Sequence, residues 1–171
     1  VLGFSLVPVS TTMSLLLEEY YCYGAFKRGW LISISWAAAL IAIPIAGKVG
    51  DKLFRQDPKK ALWLMGFLVT LYGIFVTIGV RFSSIVILMV FYTLGNACQG
   101  AAFTQMGPTL SAVVPYRMRA QAFSLVGVYI FLMGGFFGGI LTGAFSDAYG
   151  ERTALTIVVP PAALIGGVLI M

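Results

Sequence analysis

The chain alternates long apolar runs with short polar breaks. Six runs stand out, at about residues 1–17, 30–47, 61–80, 85–112, 121–145 and 153–171. Each approaches or exceeds the roughly 20 residues that a helix needs to cross the hydrocarbon of a bilayer. The runs are continuous and do not switch between apolar and polar at every second residue, so they predict helices and not the strands of a barrel. Lipid offers no partner to a free backbone N–H or C=O, and a helix satisfies both within itself. The first and last runs look clipped: the chain opens on Val1 and stops at Met171 inside apolar stretches, which reads as a fragment of a longer protein. Pro58 and Pro115 fall in breaks, where one helix must stop and the next begin. Pro44 and Pro108 fall inside runs and predict kinks near helix ends.

Composition sharpens this picture. Hydrophobic residues make up 60% and charged residues 10%, against about a quarter charged in soluble domains, so lipid must be the solvent for much of the surface. The formal charge of +5 would suggest a polyanion partner in a soluble protein. Here the cations sit in the breaks. Threading six spans alternately puts Lys48, Lys52, Arg55, Lys59, Lys60, Arg117 and Arg119 on one face and Lys27, Arg28, Arg81 and Arg152 on the other. The positive-inside bias assigns the first face to the cytoplasm. The expectation is a multi-pass protein of the plasma (inner) membrane with both fragment ends cytoplasmic. Charge placed by topology excludes a nucleic-acid role. With no His, no glycine-rich phosphate loop and no metal-ligand cluster, no enzyme activity, cofactor or metal is expected. Cys22 and Cys98 fit no disulfide framework.

Two of the polar breaks are related. Gly47-Lys-Val-Gly-Asp51-Lys52-Leu-Phe-Arg55 follows the second run, and Gly143-Ala-Phe-Ser-Asp147-Ala-Tyr-Gly150-Glu-Arg152 follows the fifth; both begin Gly-x-x-x-Asp. Second and fifth helices are equivalent if helices one to three and four to six repeat each other in opposite orientation. That the two loops fall on opposite faces fits such an inversion, a recurring transporter architecture. The expected fold is therefore all-α, with six transmembrane helices as two inverted three-helix repeats.

These motifs resemble the major facilitator superfamily. Gly47, Val49, Asp51, Lys52 and Arg55 stand where that family's loop between second and third helices carries Gly-x-apolar-x-Asp-Arg/Lys-x-Gly-Arg, with Phe54 in place of the second glycine and Gln56-Asp57-Pro58 lengthening the loop. Pro115, Arg119 and Ala122 look like the start of a fifth or eleventh helix in the family, and the glycine-rich stretch Gly134 to Gly143 resembles the helix that follows. The resemblance implies the carboxy-terminal half of a twelve-helix transporter. Its partners would be the bilayer, a small-molecule substrate and the missing amino-terminal six-helix half, and it would work by alternating access. The run Arg119 to Ser124 and the ending Ser146-Asp147-Ala-Tyr-Gly150 look most like the spinster-type branch, which moves lipid-like or organic-anion cargo. The rival readings are a drug or metabolite exporter of the same superfamily, and a non-transporting sensor or scaffold on the same fold.

Candidate residues follow. By resemblance, Gly47, Asp51, Lys52, Arg55 and Arg119 form a cytoplasmic gate, with Asp51 meeting the positive end of a helix of the other half. Polar residues inside spans are costly in hydrocarbon and so worth attention: Asn96, Gln99 and Gln105 on the fourth helix, Ser10, Thr11 and Thr12 on the first, Ser33, Ser35 and Trp36 on the second. The resemblance implies that first and fourth helices line the cavity, which makes Asn96 and Gln99 the leading substrate contacts. Hydrogen bonding between or within helices is the alternative, above all for the hydroxyls. Glu18 and Glu19, at the outer end of the first helix, are candidates for a proton or cation site, or else a solvated loop end. Gly135, Gly139 and Gly143 recur every four residues, a spacing that lets helices approach closely.

Overall fold

The computed structural model describes residues 2–170, apart from the side chains of residues 2 and 4–6; Val1 and Met171, the ends of the first and last runs, lie outside the described residues. Six helical rods follow one another: α1 (Leu2–Glu19), α2 (Ala25–Gln56), α3 (Pro58–Arg81), α4 (Ile85–Val113), α5 (Tyr116–Tyr149) and α6 (Glu151–Ile170). There is no strand among the described residues. Rods α2 to α6 are long and apolar enough to cross a membrane. The eighteen residues of α1 take in Glu18 and Glu19, and that rod falls short of the same measure. Rod α5 changes pitch along its length: a 3₁₀ turn at Tyr116–Met118, α-helix over Arg119–Tyr129, a π-helical stretch at Ile130–Phe137, and α-helix again over Gly138–Tyr149.

The rods outrun their apolar cores. The stretch from Gly47 to Arg55, expected as a loop, is the last part of α2, because charged residues at a helix end lose nothing by staying helical once they are in water. What ends α2 is Pro58. The residue before a proline is pushed out of the helical region, and Asp57 accordingly sits at φ −160°, ψ 119°. It then caps α3: Asp57 Oδ1 accepts the Lys59 N–H at 2.9 Å, with Pro58 in the first helical position, where its missing N–H costs nothing. Likewise α5 runs on through Asp147 to Tyr149, and Gly150, at φ 80°, makes the single-residue corner into α6.

Between rods in lipid there is little hydrophobic drive, so close packing of small residues holds them. An added Cβ on Gly73 would lie 2.2 Å from the Ala163 methyl, and one on Gly100 would lie 2.9 Å from the Ala39 methyl. The innermost cluster joins four rods: Val9, Met13 and Leu16 of α1, Tyr72, Val76 and Val80 of α3, Leu88 and Tyr92 of α4, Leu155 and Val159 of α6. Rod α2 flanks this core against α4, and α5 flanks it against α1. The two flanking rods are the least covered: 11% of the most apolar window of α2 is buried and 17% of that of α5, against 39–44% for α3, α4 and α6.

Antiparallel connectivity sorts the ends of the rods into two sets. One end carries Lys48, Lys52, Arg55, Lys59, Lys60, Arg117 and Arg119, and is called the basic end below. The other carries Glu18, Glu19, Asp147 and Glu151, with Lys27, Arg28, Arg81 and Arg152 among them.

Candidate functional site

At the basic end, Lys48, Asp51, Lys52, Arg55 and Gln56 border a shallow depression of about 450 Å³ on the last turns of α2. Asp51, Lys52 and Arg55 are exposed. Gly47 has open space where a Cβ would stand. Asp51, Lys52 and Arg55 of the predicted gate thus share one solvent-facing patch, and Gly47 is not among the residues that border it. Arg119 belongs to a different arrangement. Its guanidinium donates to the carbonyls of Ser111 (2.8 Å) and Val114 (3.4 Å) and lies 5.5 Å from the Tyr116 ring, so it closes the carboxy-terminal end of α4.

The same end holds a contact between rods. Gln105 is buried on α4, and its Nε2 donates to the Ala46 carbonyl of α2 at 2.9 Å and to Thr104 Oγ1 at 3.0 Å. The amide lies in the notch made by Gly50, where an added Cβ would come within 1.8 Å of Gln105 Oε1. Gln105, expected among the cavity residues, therefore bridges α4 to the rod that carries Asp51.

Midway along α4, Asn96 and Gln99 are almost wholly buried within this chain, as are Tyr92 and, on α3, Tyr72. Tyr72 and Tyr92 are electrostatic neighbours, and Gly95 fits against the Tyr72 ring. Asn96 Nδ2 is buried with no hydrogen-bond partner among the described residues. In a medium without water such a donor costs about 1–3 kcal/mol. The hydroxyls have local partners: Thr11 Oγ1 donates to the carbonyls of Val7 and Pro8, Ser10 Oγ to Val7, and Ser35 Oγ to Leu31, each back onto its own helix. Thr12 is buried, Trp36 half-buried and Ser33 exposed.

At the acidic end, Glu18 is exposed and pairs with Arg28, whose Nη1 also donates to the Ser14 carbonyl of α1 at 3.3 Å. Glu19 is exposed too. Glu151, the first residue of α6, lies within electrostatic range of both glutamates and has a buried Oε2 without a hydrogen-bond partner among the described residues. Next to it, Arg152 reaches across to the end of α3, donating to the carbonyls of Val80 and Phe82 at 2.8 and 2.5 Å, with the Tyr20 ring 5.3 Å away. Tyr21 Oη donates to the Ser83 carbonyl at 2.8 Å. These bonds tie three helix connections into one layer. Sequence reading missed Glu151, Arg28 and Arg152, since charges beside a helix start read as topology signals; their reach to another rod's carbonyls is a tertiary property.

The predicted glycine seam lies one residue away from the contact that is made. Gly139 and Gly143 have nothing within 4 Å of an added Cβ, and Gly135 only Val7 Cγ2 at 4.0 Å. Gly134 is the residue in contact, its would-be Cβ 1.9 Å from the Gly3 carbonyl carbon of α1. The buried stripe of α5 is Gly134, Gly138 and Thr142, each one position before a glycine of the predicted seam.

A bundle of long apolar rods, small-residue seams and charges confined to the two ends defines a polytopic helical membrane protein. The chain matches the family model of the Major Facilitator Superfamily over residues 1–171 and belongs to that family of membrane transporters. No curated protein and no solved structure matches it.

Proposed function

We propose that the chain is the carboxy-terminal half of a twelve-helix secondary transporter, built from two inverted three-helix repeats, which moves a small organic solute by alternating access. The pattern of rod contacts carries this reading. Exchange α1 with α4, α2 with α5 and α3 with α6, and every extensive contact maps onto another: α2–α4 onto α5–α1, α3–α4 onto α6–α1, α2–α3 onto α5–α6, α1–α2 onto α4–α5, and α3–α6 onto itself. A bundle without internal symmetry has no reason to obey that exchange. The same operation pairs the two least covered rods, α2 and α5, each bearing glycines with open space beside them. Those faces suit a second six-helix half. The basic end is then cytoplasmic, and the patch of Asp51, Lys52 and Arg55 is its gate.

Within this reading the cargo is lipid-like or an organic anion, and the buried Nδ2 of Asn96, without a partner among the described residues, awaits an acceptor that cargo or an accompanying water supplies. The test is uptake by the full-length protein in proteoliposomes, with lipid-like, organic-anion and drug-like solutes supplied in turn. Asp51→Asn is expected to reduce transport at least about tenfold, the loss of one charge-assisted interaction. A protein that transports none of these solutes would favour the sensor or scaffold reading, and unchanged transport by Asp51→Asn would remove the gate.

A further inference from the structure

We infer that Arg28 and Arg119 are equivalent positioning residues, one at each end of the bundle, and that each favours the open form of its own face; the inference rests on the inverted-repeat reading above. A cation in the first turn of a helix faces the positive end of that helix's dipole, so its own helix gives no reason for it. Arg28 is the fourth residue of α2, which begins at Ala25, and Arg119 is the fourth residue of α5, which begins at Tyr116. Each reaches back to carbonyls near the end of the preceding rod, where the dipole is negative: Ser14 of α1 for Arg28, Ser111 and Val114 of α4 for Arg119.

The exchange that maps α2 onto α5 and α1 onto α4 also maps one tie onto the other. Linear sequence conceals the correspondence because the connections differ in length. Arg28 lies 14 residues from its carbonyl partner, and Arg119 lies 8 residues from Ser111.

The consequence is mechanical. Rods α2 and α5 flank the core and present the uncovered faces, so they meet the other half. Each tie draws the start of a flanking rod onto its own core, away from that half, at one face only. Without Arg28 the acidic face closes more readily; without Arg119 the basic face does.

The experiment uses the full-length protein in nanodiscs, with Cys22→Ser and Cys98→Ala as background. Gly143→Cys reports on the acidic-end half of α5 and Gly127→Cys on its basic-end half, and both positions have nothing within 4 Å of an added Cβ. The readout is the ratio of their reaction rates with a water-soluble maleimide. Arg28→Ala is expected to lower the Gly143→Cys to Gly127→Cys ratio about tenfold and Arg119→Ala to raise it about tenfold, the worth of a charge-assisted hydrogen bond. Lys27→Ala and Arg117→Ala remove the same charge from neighbouring positions that make no such carbonyl bond among the described residues, and are expected to leave the ratio within about twofold. Arg28→Gln and Arg119→Gln, expected to shift it in the same directions, serve if an alanine variant does not fold. Shifts of the same sign, reversed signs, or no shift in a protein whose two cysteines are alternately protected would overturn the pairing. Two cysteines that react freely at all times, with no alternation in the parent protein, would overturn the alternating-access reading beneath it.

Discussion

Replacing Gly50 by alanine should break a bond that Gly50 does not itself make. The added methyl would lie 1.8 Å from Gln105 Oε1 and 2.2 Å from its Nε2, distances no packing tolerates. The obstacle is the end of a flexible side chain, so the amide swings away and the backbones stay in place. What is lost is the 2.9 Å bond from Gln105 Nε2 to the Ala46 carbonyl, and the amide is left among apolar neighbours. Hydrogen bonds between helices in membrane proteins are worth about 0.6 kcal/mol on average and up to about 1.7; an orphaned buried amide adds to that, which puts Gly50→Ala at about 1–2 kcal/mol. Gln105→Ala loses the same bond but leaves a space that the methyl at position 50 partly fills. The double variant should therefore be more stable than the sum of the single effects by about 1 kcal/mol. Unfolding of the four proteins in mixed micelles measures this coupling. Additivity within about 0.3–0.5 kcal/mol would refute the reasoning, since it would mean that Gln105 does not occupy the Gly50 notch. Because Asp51 follows Gly50 directly, this bond also sets the orientation of the turn that carries Asp51, Lys52 and Arg55.

Two further outcomes follow from the same geometry. Gly134→Ala would press a methyl onto the backbone of Gly3, which cannot rotate aside, and should cost at least about 1–3 kcal/mol in the same unfolding assay, whereas Gly134→Ala and Gly135→Ala behaving alike would contradict the seam. Asn96→Leu removes a buried Nδ2 that has no acceptor together with the side-chain hydrogen bond to Tyr92, and the two effects should nearly offset, within about 1 kcal/mol in the unfolding assay, while uptake of a cargo that uses the amide weakens; a loss of about 2 kcal/mol or more would mean that Asn96 Nδ2 is already paired.

Much of the architecture was legible because lipid leaves few choices. A continuous apolar run near 20 residues must be helical, and the described residues of the six runs lie within rods. The ends of the rods were less legible, because hydropathy marks where lipid stops and not where the helix stops. Lys48 to Arg55 leave the apolar run but stay helical until Pro58 forces Asp57 out. The polar residues along α4 could be read as noteworthy, yet nothing in sequence distinguishes Gln105, seated against Gly50, from Asn96, whose Nδ2 is buried with no partner among the described residues. That difference depends on which rod lies opposite. The glycine seam is a similar case: the buried stripe of α5 is Gly134, Gly138 and Thr142, also four residues apart, and spacing alone does not say which of two neighbouring stripes faces α1. Contacts that cross between rods, such as Arg152 with the end of α3, left no trace in the linear chain.

The inverted pairing of the two triplets is tested most directly by an experimental density map of the full-length protein. The account predicts that Leu2–Arg81 superposes on Ile85–Ile170 after a half-turn about an axis in the membrane plane, with the open faces of α2 and α5 against the other six helices. Triplets that superpose only about an axis normal to the membrane, or flanking rods that turn those faces to lipid, would contradict it.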